Sequence, residues 1–262
     1  MGRSVCVMWK LIRASVIGTG HKRNGTACQD VCSSGEFVVS GVLCLVAAIA
    51  DGAGSAKEGG LGAETTVQTI IQAITSSPKT PDSFDRNDAQ GWLEMVRSAL
   101  QAEASAFGVD LPDLACTVLV CCITDTHAVF LQVGDGAWVM AIDGQLEVVT
   151  WPEAGEYANE TVFVTSSNCF EQSAFTVKSG RIEALAGLSD GLQLLSLDYA
   201  KRSPHNGFFL PMIETLRAVE NAGDLIAPLM AFLDSDAVNE RTDDDKTLII
   251  AVRTDSTEKP CC

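Results

Sequence analysis

Asp51, Asp135, Asp190 and Asp244 share one kind of local setting. In AIADGAGS, LQVGDGAW, AGLSDGLQ and RTDDDKTLIIAV, each stands at the end or the start of an apolar run, beside a glycine or another acid. Asp30, in CQDV, closes the loop after the first apolar run and joins the set. Strand ends at one edge of a sheet can converge in space while lying far apart in sequence. If these carboxylates converge, each pair repels by roughly 4 kcal/mol at about 4 Å in an effective dielectric near about 20, so a shared site demands cations. Oxygen ligands select hard divalent ions such as Mg²⁺ or Mn²⁺, and two such ions can bridge and activate a water. Taken singly, each aspartate is most simply a surface turn. Taken together, each abutting a buried run, they point to convergence.

Two other motifs suggest different chemistry. GLSDG, Gly187 to Gly191, satisfies the G-x-S-x-G pattern of a hydrolase nucleophile elbow, with Ser189 as nucleophile, a strand before it and a helix after. Its triad needs an acid and then a histidine downstream, but the only later histidine is His205 and the only aspartate between is Asp198, seven residues before it. That leaves little room for the usual succession of strands and loops. GAGSAKEG resembles a phosphate-cradling loop, yet Lys57 stands where the third glycine is required and the lysine-serine ending of a P-loop is missing. Asp51 just before that turn would also repel a phosphate unless a metal lay between them.

The elements that must position these residues follow from composition and periodicity. With 262 residues and 47% apolar content, the chain is long enough for one large domain or two small ones and too apolar for disorder. A formal charge of −16, with no cluster of Lys and Arg, excludes a nucleic-acid-binding surface. The longest apolar run, Val42 to Ala50, stops at Asp51, short of the roughly 18 to 20 residues of a membrane span, so no membrane segment is expected. MGRSVCVMWKLIR lacks the features of a signal peptide, and the ten cysteines show no disulfide framework or paired CxxC motifs. Reduced thiols in a cytoplasmic protein are the expectation. Cys121 and Cys122, adjacent in an expected strand, face opposite sides and make a poor ligand pair. Cys261 and Cys262 read as a frayed end rather than a lipid-carrying one.

Strands are expected at Trp9 to Ile17 and Phe37 to Ala50, followed by helices at Leu61 to Ile74 and about Ala89 to Phe107. Beyond Pro112, LACTVLVCCITD, HAVFLQVGD, AWVMAID and LEVVT read as an antiparallel meander, because the links are too short for parallel crossovers. Further strands are expected at Glu160 to Val164, Ala174 to Lys178 and Ile182 to Leu188. Helices follow at about Gly191 to Leu197, Phe209 to Ala222 and Asp224 to Leu233, with a last strand at Thr247 to Val252. No repeat or long linker divides the chain, so the expectation is a single α+β domain in which helices flank antiparallel sheets.

The ordered set CQD, ADGAGS, VGDGA, LSDG and DDKTLIIAV resembles the metal-dependent serine/threonine protein phosphatases of the 2C type, in particular their compact bacterial branch, from about residue 15 to 253. The resemblance implies a four-layer α-β-β-α sandwich with two Mn²⁺ or Mg²⁺ ions in a cleft at one end. By position, Asp51 resembles the carboxylate that bridges both ions and Gly52 the residue that lends its backbone carbonyl. Asp190 and Asp244 resemble ligands of the first ion, and Asp135 the acid that in some members helps to hold a weak third one. Asp30 resembles the acid that hydrogen-bonds metal-bound waters. The implied reaction is direct attack on the phosphorus of a phosphoserine or phosphothreonine by a water between the metals, with no phosphoenzyme. The implied partners are a phosphorylated protein substrate and a serine/threonine kinase system. No appended sensor segment is expected, so regulation would come from separate chains.

The chain also departs from that pattern. Gln29 stands where an acid often precedes Asp30. The family's phosphate-binding arginine falls at Gly25, which leaves Arg23 or Lys22 to reach the phosphate, with arginine better suited to a two-pronged grip. The histidine that follows the DG in some members is Ala53, and a further acid four residues after the SDG aspartate is Leu194. His21, in the same loop as Arg23, is a candidate for phosphate contact or proton transfer, or for a structural hydrogen bond. A weak or inactive relative that binds phosphoproteins is the alternative to an active phosphatase.

Overall fold

The computed structural model describes residues 7–152 and 161–255. In chain order the elements are β1 (Val7–Val16), α1 (Thr19–Asn24), β2 (Asp30–Val39), β3 (Val42–Asp51), α2 (Gly59–Thr75), α3 (Arg86–Phe107), β4 (Val118–Ile123), β5 (His127–Val133), β6 (Ala137–Ile142), β7 (Gln145–Val148), β8 (Ala174–Ser179), β9 (Ala184–Leu188), α4 (Gln193–Ser196), β10 (Leu197–Asp198), β11 (Ser203–Pro204), α5 (Asn206–Ala218), α6 (Ile226–Leu233), α7 (Asp236–Asn239) and β12 (Lys246–Asp255). Two five-stranded sheets, ordered β1-β12-β9-β6-β7 and β2-β3-β4-β5-β8, form the centre, and β10 and β11 make a small ladder of their own. Every strand pairing is antiparallel.

Side-chain alternation explains the layers. In β3, Val46, Ala48 and Ala50 pack with Ala63, Val67 and Ile70 of α2 and with Trp92, Leu93 and Val96 of α3. Leu45, Ala47 and Ile49 face the other way, into a second apolar layer shared with Trp138, Met140, Leu185 and Ile249 of the opposite sheet. The outer face of that opposite sheet is covered by α5 and α6 through Phe209, Ile213, Leu216, Leu229 and Leu233. The result is the expected α-β-β-α sandwich. Because inward residues recur every second position, Asp51 continues the row of Leu45, Ala47 and Ile49, just as Thr247 and Asp245 continue the row of Ala251 and Ile249.

Four expectations need correction. Phe37 to Ala50 is not one strand: the chain turns at Ser40-Gly41, with φ of 48° and 82°, into the β2–β3 hairpin. Both central residues of such a two-residue turn take left-handed φ, and apolar Val38, Val39 and Val42 on either side hid the break. The meander after Pro112 does not stay in one sheet, since β4 and β5 belong to one and β6 and β7 to the other. Thr161 to Val164 form no strand: Val164 N donates one bond to the Cys116 carbonyl, 2.9 Å, and Glu160 lies outside the described residues. The helix expected from Gly191 is a 3₁₀ turn, Asp190–Leu192, followed by the single turn α4. Helix α3 starts earlier than its apolar period suggests because Asp85 and Asp88 form a reciprocal capping box. Cys121 and Cys122 do face opposite layers.

Gly187 shows how tightly the sheets are packed. A Cβ at this position would lie 2.2 Å from the buried Trp138 ring. Gly187→Ala should therefore destabilise the protein by about 1–3 kcal/mol through overpacking, read as a lower denaturant midpoint at unchanged slope. An unchanged midpoint would contradict this packing.

Candidate metal centre

The strand pattern delivers acids from both sheets to one end of the sandwich. Asp30 and Asp51 are paired opposite each other where β2 and β3 end. Asp190 opens the 3₁₀ turn after β9, and Asp244 and Asp245 precede β12. Asp30 is 4% exposed. Its Oδ2 accepts a 2.7 Å hydrogen bond from Ser189 Oγ, which itself accepts from Thr247 N at 3.0 Å. Asp51 lies within hydrogen-bonding reach of both Asp30 and Asp190. Asp30 Oδ1 and Asp190 Oδ1 are buried with no donor among the described residues.

The electrostatics follow from that crowding. Burial, then the charges of Asp30 and Asp190, push the Asp51 carboxyl up to about 12. Burial raises Asp30 to about 7 against the opposing hydrogen bonds of Ser189 and Thr247. Burial, with the charge of Asp135 behind it, raises Asp190 to about 6. Asp244 is raised by burial too, partly offset by the N–H of Asp245, which donates to Asp244 Oδ1 at 2.9 Å. A carboxylate in contact with two others, one of them buried, must share protons or cations with them.

Backbone approach sets the walls. A Cβ on Gly52 would stand 2.4 Å from the Gly59 carbonyl carbon at the start of α2. One on Gly18 would meet the Asp244 carbonyl carbon at 2.3 Å, and one on Gly191 the Asp245 carbonyl oxygen at 2.0 Å. Gly52 N donates to the Gln29 carbonyl at 3.2 Å, and Thr117 N to that of Asp51 at 2.8 Å, so the turn at Asp51-Gly52 is fixed from both sides. Asp135 sits at the margin, its Oδ2 accepting from Thr161 Oγ1 at 3.0 Å and its carbonyl accepting from Gln193 Nε2.

Asp245 is the residue that sequence reasoning missed. It is 2% exposed and accepts 2.6 Å hydrogen bonds from both Gly18 N and Gln29 N. His21 Nδ1 lies 2.9 Å from Asp245 Oδ2, at ion-pair distance without the alignment of a hydrogen bond. One buried carboxylate thus ties together β12, the loop before α1 and the loop before β2. The available signal was its spacing of two from Thr247, on the inward row.

The basic residues of α1 are engaged elsewhere. Arg23 pairs with Asp243 at 2.7 Å and Lys22 with Asp234 at 2.6 Å, both exposed, and neither contacts Asp30, Asp51 or Asp190 among the described residues. Gly25 ends α1 at φ 69° in open space. The hydrolase triad is not assembled. Ser189 is 1% exposed with its hydroxyl held by Asp30 and Thr247, while His205 precedes α5 and lines an apolar cavity with Phe208 and Pro211.

The donor set suits a hard divalent cation, being all oxygen, with two buried carboxylate oxygens lacking donors. Among the described residues, no three His, Cys, Asp or Glu side chains are already spaced to hold a metal ion, and the carboxylates lean on one another instead. Residues 17–234 match the family described as Protein phosphatase 2C. The chain belongs to the protein phosphatase 2C family. It is 36% identical over 249 residues to "Serine/threonine-protein phosphatase 3" of Escherichia coli, covering 93% of this chain and 98% of that one. The catalytic domain of the serine threonine protein phosphatase PstP, solved in complex with 2 manganese ions, shares the fold with a TM-score of 0.65 at 14% identity, covering 95% of this chain and 100% of that one. Stp1 from Staphylococcus aureus does so with a TM-score of 0.62 at 15% identity, over 96% and 98% of the chains. This protein phosphatase 2C chain is accordingly a protein phosphatase, with the manganese or magnesium dependence of its family. None of its described helices is long and apolar enough to cross a membrane.

The raised carboxyls give a pH signature. Asp190 and Asp30 titrate near about 6 and about 7 when folded, above the ordinary aspartate value, so the folded state binds more protons than the unfolded one in that window. Their stabilising contribution is full below the ordinary value and is lost as pH rises through the folded ones. The thermal midpoint of the metal-free protein in chelator should fall between about pH 5 and about pH 8, and Mn²⁺ should restore it at the upper end by taking the protons' place. A metal-free midpoint that rises over this range would contradict the arrangement.

Proposed function

We propose that the chain acts as one catalytic unit that hydrolyses phosphoserine and phosphothreonine in proteins, with two Mn²⁺ or Mg²⁺ ions at the Asp30–Asp51–Asp190 end of the sandwich. The observation that carries this reading is the contact of Asp51 with both Asp30 and Asp190, in which two buried oxygens lack donors. Asp51, the Gly52 carbonyl, Asp190 and Asp244 would hold the two ions, and Asp135 would serve a weak third. When bound, the ions make a water more acidic and neutralise phosphoryl oxygens.

The chain's own residues supply position. Ser189 and Thr247 fix one oxygen of Asp30, leaving the other to orient water. Asp245 clamps the loop before α1 and the loop that carries Gln29, so His21, in the first turn of α1, is held against Asp245 and near Asp244. His21 at this mouth would contact the phosphate or pass a proton to the leaving oxygen. Arg23 would exchange its exposed pairing with Asp243 for the phosphate. Ala53 offers no proton, so the acid must come from His21 or water. Phosphorylated proteins made by a serine/threonine kinase would be the partners. The seven described cysteines are all free, which suits the reducing cytoplasm.

Release of phosphate from an aryl phosphate and from a phosphothreonine peptide tests this reading. With Mn²⁺ the chain should turn over both, and Asp51→Asn or Asp190→Asn should lower kcat by about a hundredfold or more. A fluorophosphonate should leave Ser189 unlabelled. Activity that survives the chelator would sink the two-ion reading, and no turnover with any divalent ion would favour a phosphoprotein-binding module.

A further inference from the structure

The substrate side of the cleft lacks the family's arginine at Gly25, and the three basic residues of α1 already face acids. On the other side, beyond Asp135 and Asp190, lies a different group. Gln193 Nε2 donates to the Asp135 carbonyl, and its Oε1 accepts from Tyr199 OH at 2.5 Å. The Tyr199 phenol is close enough to Asp135 and Asp190 for their charges to add to the rise that burial causes. The Tyr199 ring packs edge-on against Trp151 at 5.3 Å, and the Arg202 guanidinium lies over Trp151 at 5.4 Å. Tyr199 is 45% exposed and Arg202 is exposed.

Arg202 differs from its neighbours in two ways. Lys201 is bound to Asp198 at 2.7 Å, whereas Arg202 has no acidic partner among the described residues, in a chain of net charge −16. Its φ is 49°, a left-handed value shared among described non-glycine residues only with Ser40 and Asp143. All three stand in hairpin turns; Ser40 and Asp143 are small polar residues followed by glycine, whereas Arg202 closes the turn between β10 and β11 and is followed by Ser203. That turn conformation leaves the Arg202 side chain exposed and lying over the Trp151 ring.

We infer that Trp151, Tyr199 and Arg202 form a substrate-flank subsite, in which Arg202 binds an acidic side chain, a carboxylate or a second phosphoryl group, of the phosphoprotein. The inference rests on the proposed phosphatase reading and deepens it. Arg202 is linked through the Trp151 ring to Tyr199, which stands within electrostatic range of Asp135 and Asp190. At about 3.3 Å per residue of extended peptide, the acidic residue is expected within a few positions of the phosphorylated one, and two and three are the positions to test. The guanidinium grips oxyanions with two parallel N–H groups, and the aromatic pair supports the peptide between.

The test compares phosphothreonine peptides that carry either glutamate or alanine two and three residues from the phosphothreonine, with Mn²⁺. The glutamate peptides should show a KM about two- to fivefold lower, the size of an exposed ion pair, and the difference should vanish in about 0.5 M salt. In Arg202→Gly, where glycine accepts the φ without strain, the KM ratio should fall to about one at an undiminished melting temperature, while Arg202→Lys should keep part of it. Equal KM values in an enzyme that hydrolyses p-nitrophenyl phosphate would overturn the subsite alone, as would a preference that survives Arg202→Gly. A fall in melting temperature together with an equal loss of kcat on both peptides would overturn it by showing a purely structural role. Absence of Mn²⁺-dependent hydrolysis of p-nitrophenyl phosphate would overturn the phosphatase reading, and the subsite with it.

Discussion

The contact of Asp51 with Asp30 and Asp190 is the constraint around which the molecule is arranged. Three carboxylates in a chain of contacts, one buried and two largely so, are unstable as three anions, so this end of the sandwich must hold either protons or cations. The rest of the fold keeps them there. Strand alternation carries Asp51 inward from Leu45, Ala47 and Ile49, and Ser189 and Thr247 cross from the opposite sheet to hold Asp30. Glycines at 18, 52 and 191 let three backbones approach to distances that any Cβ would block. The interlayer beneath, with Trp138 and Phe130 rings 6.3 Å apart, supplies the stiff packing that prevents the acids from separating.

The charges around the site form a second tier. Asp245 is as buried as Asp30 and more so than Asp51 and Asp190, but it receives two backbone N–H groups and faces His21, so its role is to hold loops. Lys22 and Arg23 are paired with Asp234 and Asp243, which anchors α1 along the rim. Arg202 is different: it is exposed, it rests on an aromatic ring and it has no acidic partner among the described residues. In so acidic a chain, an exposed cation of this kind is what the proposed flank subsite would use to favour acidic substrates.

The layered fold and the acids were legible in the sequence because both are local signals. An apolar run that ends in Asp-Gly states burial, strand end and carboxylate within a few residues, as at Asp51 and Asp190. What escaped depended on distant partners. The turn at Ser40-Gly41 was masked by valines on both sides of it. The passage from β5 to β6 changes sheets within a link as short as a hairpin, and a Cβ on Gly136 there would lie 2.5 Å from Leu119 of one sheet and 2.6 Å from the Leu188 carbonyl of the other. Nothing in DDD distinguishes Asp244 from Asp245. Only the approach of Gly18 and Gln29 makes the second a clamp. Helix α1, with the sequence TGHKRN, has no apolar period to announce it and is anchored by Gly18 N on Asp245 and Gly20 N on the Asp243 carbonyl.

The central claim is that divalent cations replace protons among these carboxylates. Calorimetric titration of the metal-free protein with Mn²⁺, repeated in buffers of different ionisation enthalpy near about pH 6.5, measures the ions bound and the protons displaced together. The account predicts two ions per chain with net proton release, and a loss of both binding and release in Asp51→Asn. Binding without proton release, or tight binding that survives Asp51→Asn unchanged, would contradict it.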